Sequence, residues 1–192
     1  VVGKDPDPIA RLAANLIAAY VDDVTGVTPG SGRDIEAARR AHCASAIILT
    51  TQPIARFRPD GFHIQTGEVD GLPAVTILAP AASGLRYGSH RLIREFRQNK
   101  DELWLPALSV EANPWVKTRE LVSSAALWTL AEKERREMLT ELHQESPLIS
   151  WSIPRLAQYV DLIDALGFNG IQASLELPAQ QRRALLQQAR AN

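Results

Sequence analysis

Apolar and polar positions alternate along most of the chain in a way that predicts helices and strands in turn. Ile9, Leu12, Ala13, Leu16, Ile17, Tyr20, Val21 and Val24 recur at i, i+3, i+4, i+7 and onward, one continuous stripe on a helix. Asp7 and Pro8 open that helix, because proline fits the first helical position where no N–H is required, and Gly26 closes it. Ahead of it, Val1-Val2-Gly3 reads as the tail of a first strand. Asp34 caps a short helix through about His42. Ala46 to Thr51 (AIILTT) is apolar and β-branched, the mark of a strand buried on both faces.

The stretch from Asp60 to Phe96 reads as strand, turn, strand and helix. Phe62 and Ile64 alternate with His63 and Gln65, the period of two of a half-buried strand. Asp70-Gly71 is a tight-turn dipeptide, since glycine supplies the positive φ a short hairpin connection needs. Val75 and Ile77 alternate on the return limb, and Pro73 marks its start or an exposed edge. Leu85, Ser89, Leu92, Ile93 and Phe96 fall at helical spacing, so one face of that helix can cover the hairpin.

After Gln98 the pattern weakens. Residues 99–123 hold Pro106 and Pro114 and little periodicity, and are expected to be an extended linker between two bodies, with Trp104 and Trp115 as packing anchors. Thr129 and Glu132 match a capping box ahead of a charged helix from about Leu130 to His143. Ser152 and Pro154 open another helix, whose stripe is Ile153, Leu156, Ala157, Val160, Ile163 and Leu166 and whose end is Gly167. Phe168 to Ser174 is a short strand, and Pro178 starts a final helix.

Composition acts mainly by exclusion. The 192 residues are 45% hydrophobic and 22% charged, the balance of a globular protein. With 21 basic against 22 acidic residues and a formal net charge of -1, electrostatics predict neither nucleic-acid nor membrane-surface binding. Apolar runs are short and interrupted, so no transmembrane helix is expected. Cys43, alone, cannot form an internal disulfide. The chain opens without an initiator methionine, as though cut from something longer or processed.

No motif carries chemistry outright. The loop Thr28-Pro29-Gly30-Ser31-Gly32 is glycine-rich, but Arg33-Asp34 follows where a phosphate-binding loop needs Lys and Ser or Thr, so a plain loop is expected. His42 and Cys43 are neighbours on a helix and point apart, which favours a buried structural cysteine over a nucleophile–base pair. His42, His63, His90 and His143 lack metal-ligand spacing. Glu132, Glu134, Glu137 and Glu141 alternate with basic residues, the pattern of a solvated helix face. Trp104, Trp115, Trp128 and Trp151 are assigned to a domain interface, with a sugar-stacking platform as the other reading.

Residues 8–98 resemble the small α/β domain that precedes the catalytic barrel in several glycoside hydrolases, including α-glucuronidases and β-hexosaminidases. The matching features are the long helix ending Val24-Thr25-Gly26, the strand Ile47-Ile48-Leu49 and Asp60-Gly61-Phe62-His63-Ile64. They continue with the Asp70-Gly71 turn and Gly84-Leu85-Arg86-Tyr87-Gly88 leading a helix. Tyr159 to Ile171 is similar to the helix and first barrel strand of those enzymes, where a Gly-apolar-Asn-Gly turn feeds the strand. In α-glucuronidases that strand tends to end in an Asn pair facing the sugar; Ser174 and Leu175 stand at the corresponding positions here.

The resemblance implies an α/β chain (an α+β first domain): a small sheet covered by helices over residues 1–98, a linker over 99–123, and over 124–192 the start of a (β/α)8 barrel. Such a barrel needs about 250 residues, and the carboxylate pair that cleaves glycosides is expected on later strands. The chain is thus expected to be the N-terminal, non-catalytic part of a glycoside hydrolase, assigned no catalytic or metal-binding residue and no cofactor. Its partners would be its own C-terminal barrel and a carbohydrate substrate, a homo-oligomer stays possible, and a secreted or periplasmic location is favoured over a cytoplasmic one. Gln172, Ser174 and Glu176 follow the barrel strand and are the candidate substrate contacts, although Glu176 can equally cap the last helix. The rival expectation is a stand-alone binding or assembly module.

Overall fold

The computed structural model describes residues 1, 7–100, 102–116, 119–122, 152–172 and 179–191, which form two compact units, Val1–Trp115 and Val116–Asn192. In the first unit, helix α1 (Pro8–Thr25) begins where the Asp7 carboxylate accepts the Ile9 N–H at 2.8 Å and ends at Gly26 in the left-handed conformation. Helix α2 (Ile35–Arg40) is capped by Asp34, whose carboxylate accepts the Ala37 N–H. Strands β1 (Ala46–Thr51), β2 (Phe62–Val69) and β3 (Leu72–Ala79) follow, with the β2–β3 turn at Asp70 and Gly71, both at positive φ. Helix α3 (Ala82–Glu95) leads into a small antiparallel hairpin of β4 (Arg97–Asn99) and β5 (Glu102–Trp104), then β6 (Ser109–Ala112).

Among the described residues the main sheet runs β1-β3-β2-β6, with β1 parallel to β3 and the other pairs antiparallel. Registers place Leu49 beside Ile77, Ile77 beside Ile64 and Ile64 beside Val110, a single apolar row across the sheet. Helix α3 packs on this face and α1 on α3, burying Ala10, Ala13, Ile17, Leu85 and Leu92 with the row. The Tyr20 and Phe96 rings, 5.6 Å apart, join the far ends of the two helices. Of the stripe predicted on α1, Ala13 and Ile17 are fully buried and the rest half-buried, with Ala10 buried beside them; of that on α3, Leu85, Ser89 and Leu92 are buried and Ile93 and Phe96 half-buried.

Two expectations change here. Strand β1 is not buried on both faces: only Leu49 is fully buried, because β1 is the outer strand of the sheet and the helices cover one side, leaving Ile48 and Thr50 on the other. Residues 99–115, read as linker, instead supply β5 and the sheet strand β6. Val1 lies along the outer edge of β1, donating to Ile47 O at 2.7 Å and accepting from the Leu49 N–H at 3.0 Å, the pattern of a parallel strand residue. Burial holds its amine below the ordinary value.

The second unit contains β7 (Glu120–Val122), α4 (Ile153–Ala165), β8 (Gly170–Gln172) and α5 (Ala179–Ala191). Leu156, Val160 and Ile163 of α4 and Leu185 of α5 are buried, and Gln188 Nε2 donates to Asp161 Oδ1 at 2.8 Å between the helices. Ile153 and Leu166, expected in the buried stripe, are exposed. The helix predicted over 130–143 lies outside the described residues.

Candidate functional site

Gln172, one of the candidate substrate contacts, ends a strand of a parallel pair. β7 and β8 run parallel, in register from Glu120 beside Gly170 to Val122 beside Gln172. Parallel neighbours need a crossover connection, and α4 lies within it, so β7, α4 and β8 form a βαβ unit with α5 following. Among the described residues a parallel strand, β7, therefore precedes Gly170–Gln172, which the sequence pattern implied to be the first strand of its body. The strand before it is three residues long, too short to show a period, and fell in the segment read as linker.

At the N-terminal end of the pair the backbone is closely tied. The Arg119 N–H donates to Asn169 Oδ1 at 2.7 Å, and the Asn169 N–H returns to Arg119 O at 2.9 Å. Arg119 Nε donates to Gly167 O at 2.7 Å and its NH1 to Val116 O at 2.8 Å. Gly167, at φ 88°, ends α4 by donating to Asp164 O, while the Phe168 N–H reaches Ile163 O. The Gly-apolar-Asn-Gly turn signalled this closure through Gly167 and Asn169, whereas nothing in the pattern singled out Arg119.

Because the strands are parallel, the chain leaves β7 after Val122 and β8 after Gln172 at the same end. In strand–helix folds that C-terminal end holds ligands, and the opposite end holds structure. Of the candidate substrate contacts, Gln172 is the last residue of β8, at this end; Ser174 and Glu176 lie outside the described residues.

Other candidates separate. Cys43 is exposed, contrary to a buried structural role: it follows α2, a helix that buries no residue, just after His42 at φ 54°. His63 Nε2 stands 3.5 Å from Ser109 Oγ across β2 and β6. No group of three His, Cys, Asp or Glu side chains among the described residues is placed to hold a metal ion. No described helix is long and apolar enough to cross a membrane. The Thr28 hydroxyl donates to Asp22 Oδ1 of α1 at 2.7 Å. Trp104 is 51% and Trp115 83% exposed, so neither is buried in the core of the first unit. Trp128, Trp151, His143 and the glutamates from Glu132 to Glu141 lie outside the described residues. On α4, burial pushes the Tyr159 phenol above its ordinary value.

No protein-family model matches the sequence, and no curated protein does. Solved structures do. An exo β-N-acetylglucosaminidase of family GH20 from Vibrio harveyi, in complex with N-acetylglucosamine, is similar at a TM-score of 0.59 and 12% identity, covering 88% of this chain and 21% of that one. The GH20 chitobiase of Flavobacterium johnsoniae gives 0.62 and 13%, covering 99% of this chain and 29% of its own. A GH138 enzyme targeting pectin rhamnogalacturonan II gives 0.61 and 12%, covering 100% and 29%. This chain thus spans between a fifth and a third of these structures, and it shares with them a fold: a mixed α/β chain, built of a small mixed sheet and helices, of the kind found within glycoside hydrolases.

Proposed function

We propose that this chain is the N-terminal, non-catalytic part of a carbohydrate-active glycoside hydrolase that cleaves O-glycosyl bonds when complete. The observation that carries the reading is the extent of the likeness. It takes in 88–100% of this chain but only 21–29% of the three glycosidases, so it spans both units and leaves most of each enzyme outside. The βαβ unit adds support, since repeated strand–helix units build a (β/α)8 barrel. In this reading β7 and β8 are two of its strands, and the first unit buttresses the barrel by apolar burial. A hexosaminidase or α-glucuronidase kind of enzyme, secreted or periplasmic, is the finer form of the proposal.

The chemistry would then be divided. Glycoside cleavage needs one carboxyl group to protonate the leaving oxygen and a second to act as nucleophile or to activate water, about 5–10 Å apart. Later strands would provide that pair. Gln172, Ser174 and Glu176 would supply hydrogen bonds to sugar hydroxyls at the rim, where they orient the substrate.

A chromogenic glycoside panel tests this on the 192-residue chain and on the product of the whole reading frame that encodes it. The chain is expected to be inert and the longer product active. In that product Ser174→Ala should raise KM several-fold with little change in thermal midpoint. Hydrolysis by the 192 residues alone, or a lowered midpoint with unchanged kinetics in Ser174→Ala, would count against the division of roles. A stand-alone assembly module predicts instead that the chain forms a defined complex and that no longer product hydrolyses glycosides.

A further inference from the structure

The first unit ends on a hydrogen-bonded cluster of loop residues. Strand β6 stops at Ala112, and the next residues are tied to the loop between β1 and β2. Asn113 Oδ1 accepts the Arg58 N–H at 2.9 Å, Asn113 Nδ2 donates to Arg56 O at 2.7 Å, and Arg58 NH1 donates to Trp115 O. The two arginines differ in charge balance. Arg56 pairs with the Glu111 carboxylate and lies 5.2 Å from the centre of the Phe57 ring. Arg58 has a neutral carbonyl as its partner and no acidic partner among the described residues. Trp115, whose backbone carbonyl accepts that bond, is 83% exposed.

We propose that Trp115 and Arg58 form a binding site for an acidic sugar, a pyranose bearing a carboxylate, on the first unit. An indole offers about 150–250 Å² of apolar surface, against which the C–H face of a pyranose can pack. A guanidinium carries five N–H donors; the bond to Trp115 O uses one, and the others suit a carboxylate. Neither group alone distinguishes an acidic glycan, whereas the two together do: a neutral sugar gains the stack and loses the charged contact. Prior fixing of the Trp115 backbone reduces the ordering needed on binding. Because the contact is exposed, the site is weak and salt-sensitive. The choice of a glycan rests on the carbohydrate reading above, but the site does not depend on hydrolysis.

The test is titration of the folded 192-residue chain with trigalacturonate, its methyl ester and triacetylchitotriose, followed by calorimetry and by amide NMR shifts at low and high salt. Saturable trigalacturonate binding is expected, at least ten-fold tighter than either neutral sugar and weakened by salt. Trp115→Ala leaves the backbone carbonyl that Arg58 holds and should weaken binding about ten-fold, as should Arg58→Gln; Trp115→Phe and Arg58→Lys should retain most of it. Absence of saturation, equal binding of the ester, or wild-type affinity in a folded Trp115→Ala protein overturns the proposal. An inactive whole-frame product would defeat the hydrolase reading and leave this binding result unaffected.

Discussion

At the scale of single residues, the fit of α3 to the sheet turns on two glycines. A Cβ built at Gly84 would press on the Gly61 and Pro59 carbonyls and come within 2.8 Å of Ala79 Cβ; one at Gly88 would come within 2.5 Å of Ile77 Cγ2. In an open helix position Gly→Ala stabilises by about 0.5–1 kcal/mol. Here the sign should reverse. Gly88→Ala should cost roughly 1–3 kcal/mol through overpacking, and Gly84→Ala more, because backbone carbonyls cannot step aside as a methyl group can. Urea unfolding of both variants checks this, with Gly67→Ala, whose Cβ would meet nothing within 4 Å, as the comparison. A second residue prediction concerns Tyr159. Its phenol is pushed up by burial, so the fold disfavours the phenolate. The unfolded chain then releases its proton first, and stability should hold below about pH 10 and fall as the pH rises beyond it. Ultraviolet titration should show a late-ionising component that is lost in Tyr159→Phe.

Among the elements, those with a period were legible and those without were not. The long apolar stripe of α1, the caps Asp7 and Gly26, and the Phe62–Ile77 hairpin around Asp70-Gly71 all declare themselves locally, because side-chain spacing follows backbone geometry. Strand β6 has four residues, SVEA, and β7 three, ELV; their place in a sheet comes from distant partners, β2 and β8. Local pattern cannot carry that information. The same limit explains β1: a β-branched run reports strand, whereas edge position is set by the neighbours it receives. The substrate candidates were legible only as positions after a strand, and Gln172 alone is now placed. Truncation tests the reassignment of β6. Residues 1–115 should fold cooperatively, while residues 1–98 lose Leu105, Leu108, Val110 and Ala112 from the core and expose the β2 edge. A loss of several kcal/mol is expected, at roughly 25 cal/mol per Å² of apolar surface uncovered, with self-association on gel filtration. Equal stability of the two fragments would return β6 to the status of a linker.

Over the whole molecule, the two units divide along the chain rather than interleave: the core of Ile64, Ile77 and Leu85 belongs to Val1–Trp115, and Ile171 sits in the separate β7–β8 sheet. A single closed domain would have joined Ile171 to the sheet of Ile64, and the described strands do not join them. Leu162, Leu166 and Leu186 of the second unit remain exposed, the kind of surface further helices would cover in the proposed enzyme. The most direct measurement is a structure of the whole-frame product. The glycosidase reading predicts that Glu120–Val122 and Gly170–Gln172 lie side by side in a closed parallel barrel, with an acidic pair at its C-terminal end. Finding that strand pair capped at both edges, with no parallel strand added, would contradict it.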